Sequence, residues 1–265
     1  MTTSIARQDD AQLGGPLSIL TLQRRDHVRL DRLMDRARAT LATGGVEHEV
    51  TLRAIARLVF THAFAEEAVL FPAARRVLPE GDPLSLHIEQ EHQEVNELVT
   101  RLDRSDPSDP EHAALLEQTF AALDEDVRSE EDELLPRLQQ ELDGTALRLL
   151  GLQWGLLRLT SPTRPHPVVS RRPPGQVLSA LPLTVLDRAR DRLQQLGEVL
   201  GGRGAGVLGA VDQALAGASG AVERSPVIRT GQRLETARGT APDRDRDDPA
   251  APVGRAGSVR DERPG

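Results

Sequence analysis

The 265-residue chain contains no cysteine, no tyrosine and no lysine, and it has only four phenylalanines and one tryptophan. Without Cys there can be no disulfide framework, thiolate zinc site, iron–sulfur cluster, c-type haem attachment or thiol catalysis. Without Lys there is no P-loop lysine and no Schiff base to a carbonyl substrate or to pyridoxal phosphate. All 33 basic residues are arginine. So few aromatics argue against a β-sandwich or barrel, because strands draw on aromatic and β-branched side chains. No run approaches the ~18 apolar residues of a transmembrane helix. Residues 1–20 carry acids and no continuous apolar stretch, so no secretory signal is expected and a cytoplasmic location is.

Charge is unevenly spread. Residues 1–160 hold 17 Arg against 29 acids, and residues 161–265 hold 16 Arg against 12 acids. An acidic first part does not suit nucleic acid, whose phosphates need a basic surface. All four Phe and the Trp precede residue 160, whereas the later part is punctuated by SPTRPHPVVSRRPPG, GGRGAGVLG and a final Pro/Gly/Arg-rich stretch. Such segments offer little apolar surface to offset ordering entropy. The expected organisation is a flexible N-terminus (1–17), a helical bundle (18–160) and a Pro-rich linker (161–181). One amphipathic helix (182–200) and a mostly disordered tail (201–265) follow. That helix carries the stripe Leu186, Ala189, Leu193, Leu196, Leu200, with Pro182 in its first turn. It is expected to dock on the bundle or self-associate, since its Arg/acid alternation without aromatic anchors weighs against a membrane surface.

Four segments of the first part show helical period. Ser18–Leu41 carries His27, Leu30, Met34, Ala37 and Leu41 on one face, and Val46–Val77 carries Leu52, Ile55, Val59, His62, Glu66 and Val69. Pro83–Leu102 carries Ile88, His92, Val95, Val99 and Leu102, and Pro110–Leu142 carries Leu116, Thr119, Leu123, Asp126, Glu130 and Leu134. These steps of three and four place each set on the inward face. The breaks ATGG, PEGDP and DRSDPSDP carry turn chemistry. Four helices with short connections imply an all-α, antiparallel up-down four-helix bundle.

Six inward positions are not apolar: His27, His62, Glu66, His92, Asp126 and Glu130. An ionised carboxylate inside a bundle costs several kcal/mol unless it is paired or coordinates a metal. An internal repeat organises these residues. His62, Glu66, Leu70 and Pro72 recur as Asp126, Glu130, Leu134 and Pro136, a constant 64 residues on, and Asp26, His27 and Leu30 recur as Glu91, His92 and Val95, 65 residues on. Two helical hairpins facing each other about a pseudo-twofold axis would bring the six side chains to one level. Residues i and i+4 lie about 5–6 Å apart on one helix face, so both can reach one ion pair. Imidazole with carboxylate suits iron, manganese or zinc better than calcium or magnesium.

The segments DHVRL (Asp26–Leu30), HAFAEEAVLFP (His62–Pro72), EHQEV (Glu91–Val95) and EEDELLP (Glu130–Pro136) resemble the hemerythrin-like HHE cation-binding domains, over residues 18–142. The resemblance implies a four-helix bundle with a non-haem di-iron centre, with His27, His62, Glu66, His92 and Glu130 as ligands and Glu66 and Glu130 as bridges. It also implies a response to oxygen, nitric oxide or iron. The family's fourth helix presents His where this chain has Asp126. Either Asp126 ligates, and the added negative charge favours the ferric state over reversible oxygen carriage, or the second metal position is weakened. The expected function is a metal-binding sensing or binding module rather than an enzyme. An oxidant- or NO-handling enzyme and a metal-free bundle for protein interaction stay open.

Other polar residues receive plainer expectations. His87, one position off the stripe, is expected beside the ligands or half exposed. Glu67 and Glu131 are expected to be solvated or to orient ligands through hydrogen bonds. His48, His112 and His166 are expected at the surface, and Glu89, Glu91, Glu94 and Glu97 on a wet helix face. The segment around Trp154 is expected to cap the end of the bundle.

Overall fold

The computed structural model describes residues 3–107, 109–166, 168–172, 175–199 and 205–237, and every regular element among them is a helix. Helix α1 (Ile19–Leu41) turns back into α2 (Gly45–Ala65) through Gly44 and Gly45, whose φ values of 57° and 75° suit a residue without Cβ. A π turn (Glu66–Leu70) joins α2 to α3 (Phe71–Val77), so the expected helix Val46–Val77 is one interrupted rod. Helix α4 (Gly81–Arg104) follows, two residues longer than expected at each end. Helix α5 (Pro110–Ser129) starts with Pro110 in its first turn, and the Asp109 carboxylate accepts the Glu111 N–H. A second π turn (Glu130–Leu134) leads into α6 (Leu135–Glu141). Helices α1 and α2 pack as one antiparallel pair and α4 and α5 as the other.

The two π turns occupy equivalent places in the repeat, and each begins with an expected ligand, Glu66 or Glu130. In each, the residue before a proline donates its N–H five residues back, Phe71 to the Glu66 carbonyl and Leu135 to the Glu130 carbonyl. Pro72 and Pro136 lack an N–H and would crowd the carbonyl four residues earlier in an α-helix. Widening the turn relieves that conflict, and such single-turn π-bulges are frequent at functional sites.

The core divides in two. Leu30, Met34, Ile55, Val95, Leu116 and Phe120 lead one apolar cluster, and Ile19, Leu20, Leu70, Phe71, Leu134 and Trp154 lead the other. Burying each such side chain contributes about 1.5–3 kcal/mol. The polar layer lies between the clusters, flanked by Leu30, Val59 and Leu123 on one side and by Phe71 and Trp154 on the other.

Several expectations are corrected. The N-terminal segment is packed, with Ile5 and Leu13 fully buried in the second cluster and Arg24 paired with Asp10 at 2.6 Å. Helix α7 (Gly144–Arg158), started by the Asp143 carboxylate on Thr145 N and Ala146 N, lies along α1. Gly151 lets it approach, because a Cβ there would overlap the Leu17 carbonyl. Trp154 therefore stands beside the polar layer, edge-on to His62 at 5.4 Å between ring centroids, and does not cap the bundle end.

Helix α8 (Gly175–Val199) starts seven residues before Pro182, which lies inside it. Helix α9 (Ala205–Glu223) occupies a stretch expected to be disordered; it packs along α8, and Asp212 pairs with Arg190 at 2.9 Å. Leu200 of the expected stripe and residues 201–204 and 238–265 of the expected tail lie outside the described residues. The expected linker is also built in. The buried Asp187 carboxylate accepts the N–H groups of Thr163 (2.9 Å) and Arg164 (3.0 Å). His166, expected at the surface, is buried between Asp187 (3.1 Å) and Glu223 (2.7 Å). Burial opposes its charge, but these two carboxylates push the imidazole up to about 9. Val169, Leu183 and Ile228 form a small apolar core of their own.

Candidate metal centre

All six expected residues converge in the polar layer, and all six are buried. His27 comes from α1, His62 and Glu66 from the end of α2 and its π turn, His92 from α4, and Asp126 and Glu130 from the end of α5 and its π turn. The contacts fall into two clusters. In the first, His27 Nε2 lies 3.4 Å from His62 Nε2 and 3.1 Å from Glu130 Oε2, and His62 Nε2 lies 3.1 Å from Glu66 Oε1. In the second, His92 Nε2 lies 3.5 Å from Glu66 Oε2, 3.5 Å from Asp126 Oδ1 and 3.7 Å from Glu130 Oε1. Glu66 and Glu130 thus each give one oxygen to either cluster. The donor atoms of His27, His62 and Glu130 lie within 4.8 Å of one another, as do those of Glu66, His92 and Glu130.

The outer side of each imidazole is held by a carboxylate. His27 Nδ1 donates to Glu131 Oε1 at 2.8 Å, His62 Nδ1 to Asp26 Oδ2 at 3.1 Å, and His92 Nδ1 to Glu67 Oε1 at 3.0 Å. An ionised carboxylate only accepts, so the proton belongs to Nδ1, and in a neutral ring Nε2 turns a lone pair inward. This is the arrangement by which carboxylates orient metal-binding histidines. The supports continue outward. Arg158 pairs with Asp26 at 2.6 Å while its guanidinium lies over Trp154, and Gln23 Nε2 donates to Glu66 Oε1 at 2.6 Å. Phe71 stacks on His92 with ring centroids 5.6 Å apart.

Electrostatics match a site built around positive charge. Burial disfavours the charged form of His27, yet Glu130 and Glu131 push its imidazole up to about 9. His62 and His92 are raised well above the ordinary value in the same way, against burial, by the carboxylates around them. Burial raises Glu66, with the Glu130 charge adding to the effect, and it raises Asp126 strongly. Glu130 goes the other way: burial works against ionisation, but three imidazoles hold it well below the carboxylate range. Glu66 Oε2, His92 Nε2, Asp126 Oδ1 and both Glu130 oxygens are sealed from solvent without a well-directed hydrogen bond among the described residues. Buried polar atoms are rarely left so. Short N···O separations without hydrogen-bond geometry suit donors that share a cation, and the donor set fits one.

Around the centre, Glu67 and Glu131 take the orienting alternative, and Glu67 is itself buried. His87 is exposed, 3.6 Å from Glu91. Glu89 and Glu91 are buried rather than wet, Glu89 against Arg75 and Arg172 and Glu91 accepting from Ser129 at 2.9 Å. His48 and His112 are buried with Nδ1 on Thr40 and Ser105 hydroxyls (3.0 and 2.7 Å), not exposed. Sequence reasoning assigned no role to Asp26, Arg158, Arg171 or Gln176. Only Asp26 carried a signal, as the acid of the repeated acid–His pair.

A helical bundle whose interior holds three oriented imidazoles and two shared carboxylates defines a metal-cation-binding bundle. Residues 18–138, a little under half of the chain, match the family model of the Hemerythrin HHE cation binding domain. No curated protein and no solved structure matches the chain. No helix among the described residues is long and apolar enough to cross a membrane.

Proposed function

We propose that the bundle holds a carboxylate-bridged pair of transition-metal ions, iron before manganese or zinc, as a module responding to oxygen, nitric oxide or iron. The observation that carries this reading is the division of oxygens: Glu66 and Glu130 each turn one oxygen to the His27/His62 cluster and the other to the His92/Asp126 cluster. His27 and His62 would hold one position, His92 and Asp126 the other, with Glu66 and Glu130 spanning both. An iron pair held by these residues would supply one-electron redox chemistry and binding of a small ligand.

The protein's own part is to orient, seal and select. Asp26, Glu67 and Glu131 hold the ring nitrogens in the tautomer a cation needs. A cavity of about 20 Å³, lined by Asp26, His27, His62 and Asp126 and by apolar side chains that include Leu30 and Leu123, adjoins the centre. That is room for roughly one water-sized molecule, and its mostly apolar wall favours a neutral diatomic over an ion. The acid-rich second position, with one imidazole and three carboxylates, favours the more highly charged oxidised ion and weighs against reversible oxygen carriage. Metal uptake displaces protons from strongly basic imidazoles, so affinity falls as pH is lowered.

Elemental analysis of the purified chain tests the reading, with about two ions per chain and near-ultraviolet absorption from a ferric pair as the expected result. His62→Ala should lower the metal content. A chain that takes up neither iron, manganese nor zinc under anaerobic reconstitution would instead be a metal-free bundle in which protonated imidazoles offset the carboxylates. Steady-state consumption of peroxide or nitric oxide by the loaded chain would mark an enzyme instead.

A further inference from the structure

The segment after the matched domain reaches the centre from outside. Arg171, buried in what reads as a Pro-rich linker, places Nη1 3.4 Å from Glu67 Oε1, and its Nη2 donates to Gln93 Oε1 (3.1 Å) and toward the His92 carbonyl (3.4 Å). From the first turn of α8, Gln176 Nε2 donates to Glu67 Oε2 at 2.8 Å. Glu67 is the carboxylate that holds His92 Nδ1, so both of its oxygens are occupied by residues more than a hundred positions away. The adjacent Arg172 pairs with Glu89 (2.8 Å) and Asp82 (2.9 Å), and Arg233 joins Asp82 at 2.9 Å, clamping the same segment to α4. Asp187 and His166 brace the segment against α8 and α9, and Val169, Leu183 and Ile228 give it an apolar core.

The two clusters are therefore supported differently. The His27/His62 cluster is oriented by Glu131 and Asp26, and Asp26 is anchored by Arg158 of α7. The His92 cluster is oriented through Glu67 by Arg171 and Gln176. We infer that the described residues between 161 and 237 form a strap that sets how firmly the His92/Asp126 metal position is held, with Arg171 and Gln176 as positioning residues acting through Glu67. Lifting the strap would free Glu67 to rotate, release the His92 ring and loosen one ion of the pair while leaving the other in place. The inference rests on the two-ion reading of the centre.

The test uses the full chain loaded anaerobically with Fe(II) and challenged with a coloured ferrous chelator, comparing wild type with Arg171→Leu, Gln176→Leu and the double variant. Removing an outer partner of a ligating histidine costs about 10- to 100-fold in affinity. Arg171 and Gln176 act one step further out, through Glu67, so the expected result is that one of two iron-release phases quickens severalfold, by at most that factor, in the double variant while the other is unchanged. Arg171→Lys, which keeps the charge beside Glu67, should recover part of the difference. The optical spectrum of the oxidised protein should change with the same order of variants, which mere loosening of a surface segment would not produce. Arg190→Ala, which removes the Asp212 pair inside the strap away from Glu67, should leave both phases as in wild type. Two ions released at wild-type rates in every variant, or both phases quickened equally, would overturn the strap and leave the metal reading standing. A wild-type chain that loads no iron would overturn both.

Discussion

Replacing Glu130 by Gln should be the most informative single change, because this side chain faces all three imidazoles and belongs to both clusters. Gln keeps the shape and removes the charge. In the metal-free chain at neutral pH, three buried rings that Glu130 and its neighbours hold protonated would lose their best-ionised partner. Breaking a buried charge pair from one side costs about 3–5 kcal/mol. For a chain of this size each kcal/mol moves Tm by about 2–4 °C, so E130Q should melt roughly 6–20 °C below wild type. Fe(II) at a hundred times its Kd should add about 2.7 kcal/mol per site to wild type, or roughly 5–11 °C for each site, and less to E130Q, which keeps one amide oxygen and would lose a donor at one of the two positions. Calorimetry with and without Fe(II) reads both effects. An E130Q chain that melts with wild type and gains the same increment from Fe(II) would refute the assignment of Glu130 to the centre of the charge balance.

Further outcomes follow from the packing. Phe120→Ala, in the apolar cluster away from the ligands, should cost about 3–5 kcal/mol of stability, including the contact with the Arg38 guanidinium 4.9 Å above the ring, and should leave the number of bound ions unchanged. Gly151→Ala drives a Cβ into the Leu17 carbonyl and should destabilise by about 1–3 kcal/mol, read as a lower denaturant midpoint. His166 holds its proton to about 9 in the folded chain, against about 6.5 for a free imidazole. Its stabilising contribution is therefore complete below about pH 6.5 and lost as pH rises through about 9. Denaturant midpoints should fall across that window in wild type and stay flatter in His166→Gln.

The bundle and its polar layer were legible because both depend on local spacing. Steps of three and four put His27, His62, Glu66, His92, Asp126 and Glu130 on inward faces, and the repeat aligned them at one height. The π turns were not legible as such, although their cause, Pro72 and Pro136 each six residues after the carboxylate that opens the turn, stands in the sequence. What periodicity could not convey is which outward faces are covered. Glu89 and Glu91 read as wet because the side chains that bury or flank them, Arg172 among them, come from distant parts of the chain. Arg171 sits in a Pro-rich stretch with no helical pattern, and only its tertiary contact with Glu67 gives it meaning. Helix α9 was missed because its many glycines and small side chains gave no clear stripe, and its contact with α8 is tertiary.

The paired π turns make the centre sensitive to length as well as to composition. Each turn accommodates a residue that an α-helix would place about 100° away around the axis. Losing one residue between Glu66 and Phe71, Ala68 for example, would tighten the turn to an ordinary α turn and drive the Pro72 ring against the Glu67 carbonyl, at the residue that holds His92, although all six inward side chains remained in the chain. A one-codon deletion in either turn therefore reaches the polar layer through backbone length alone.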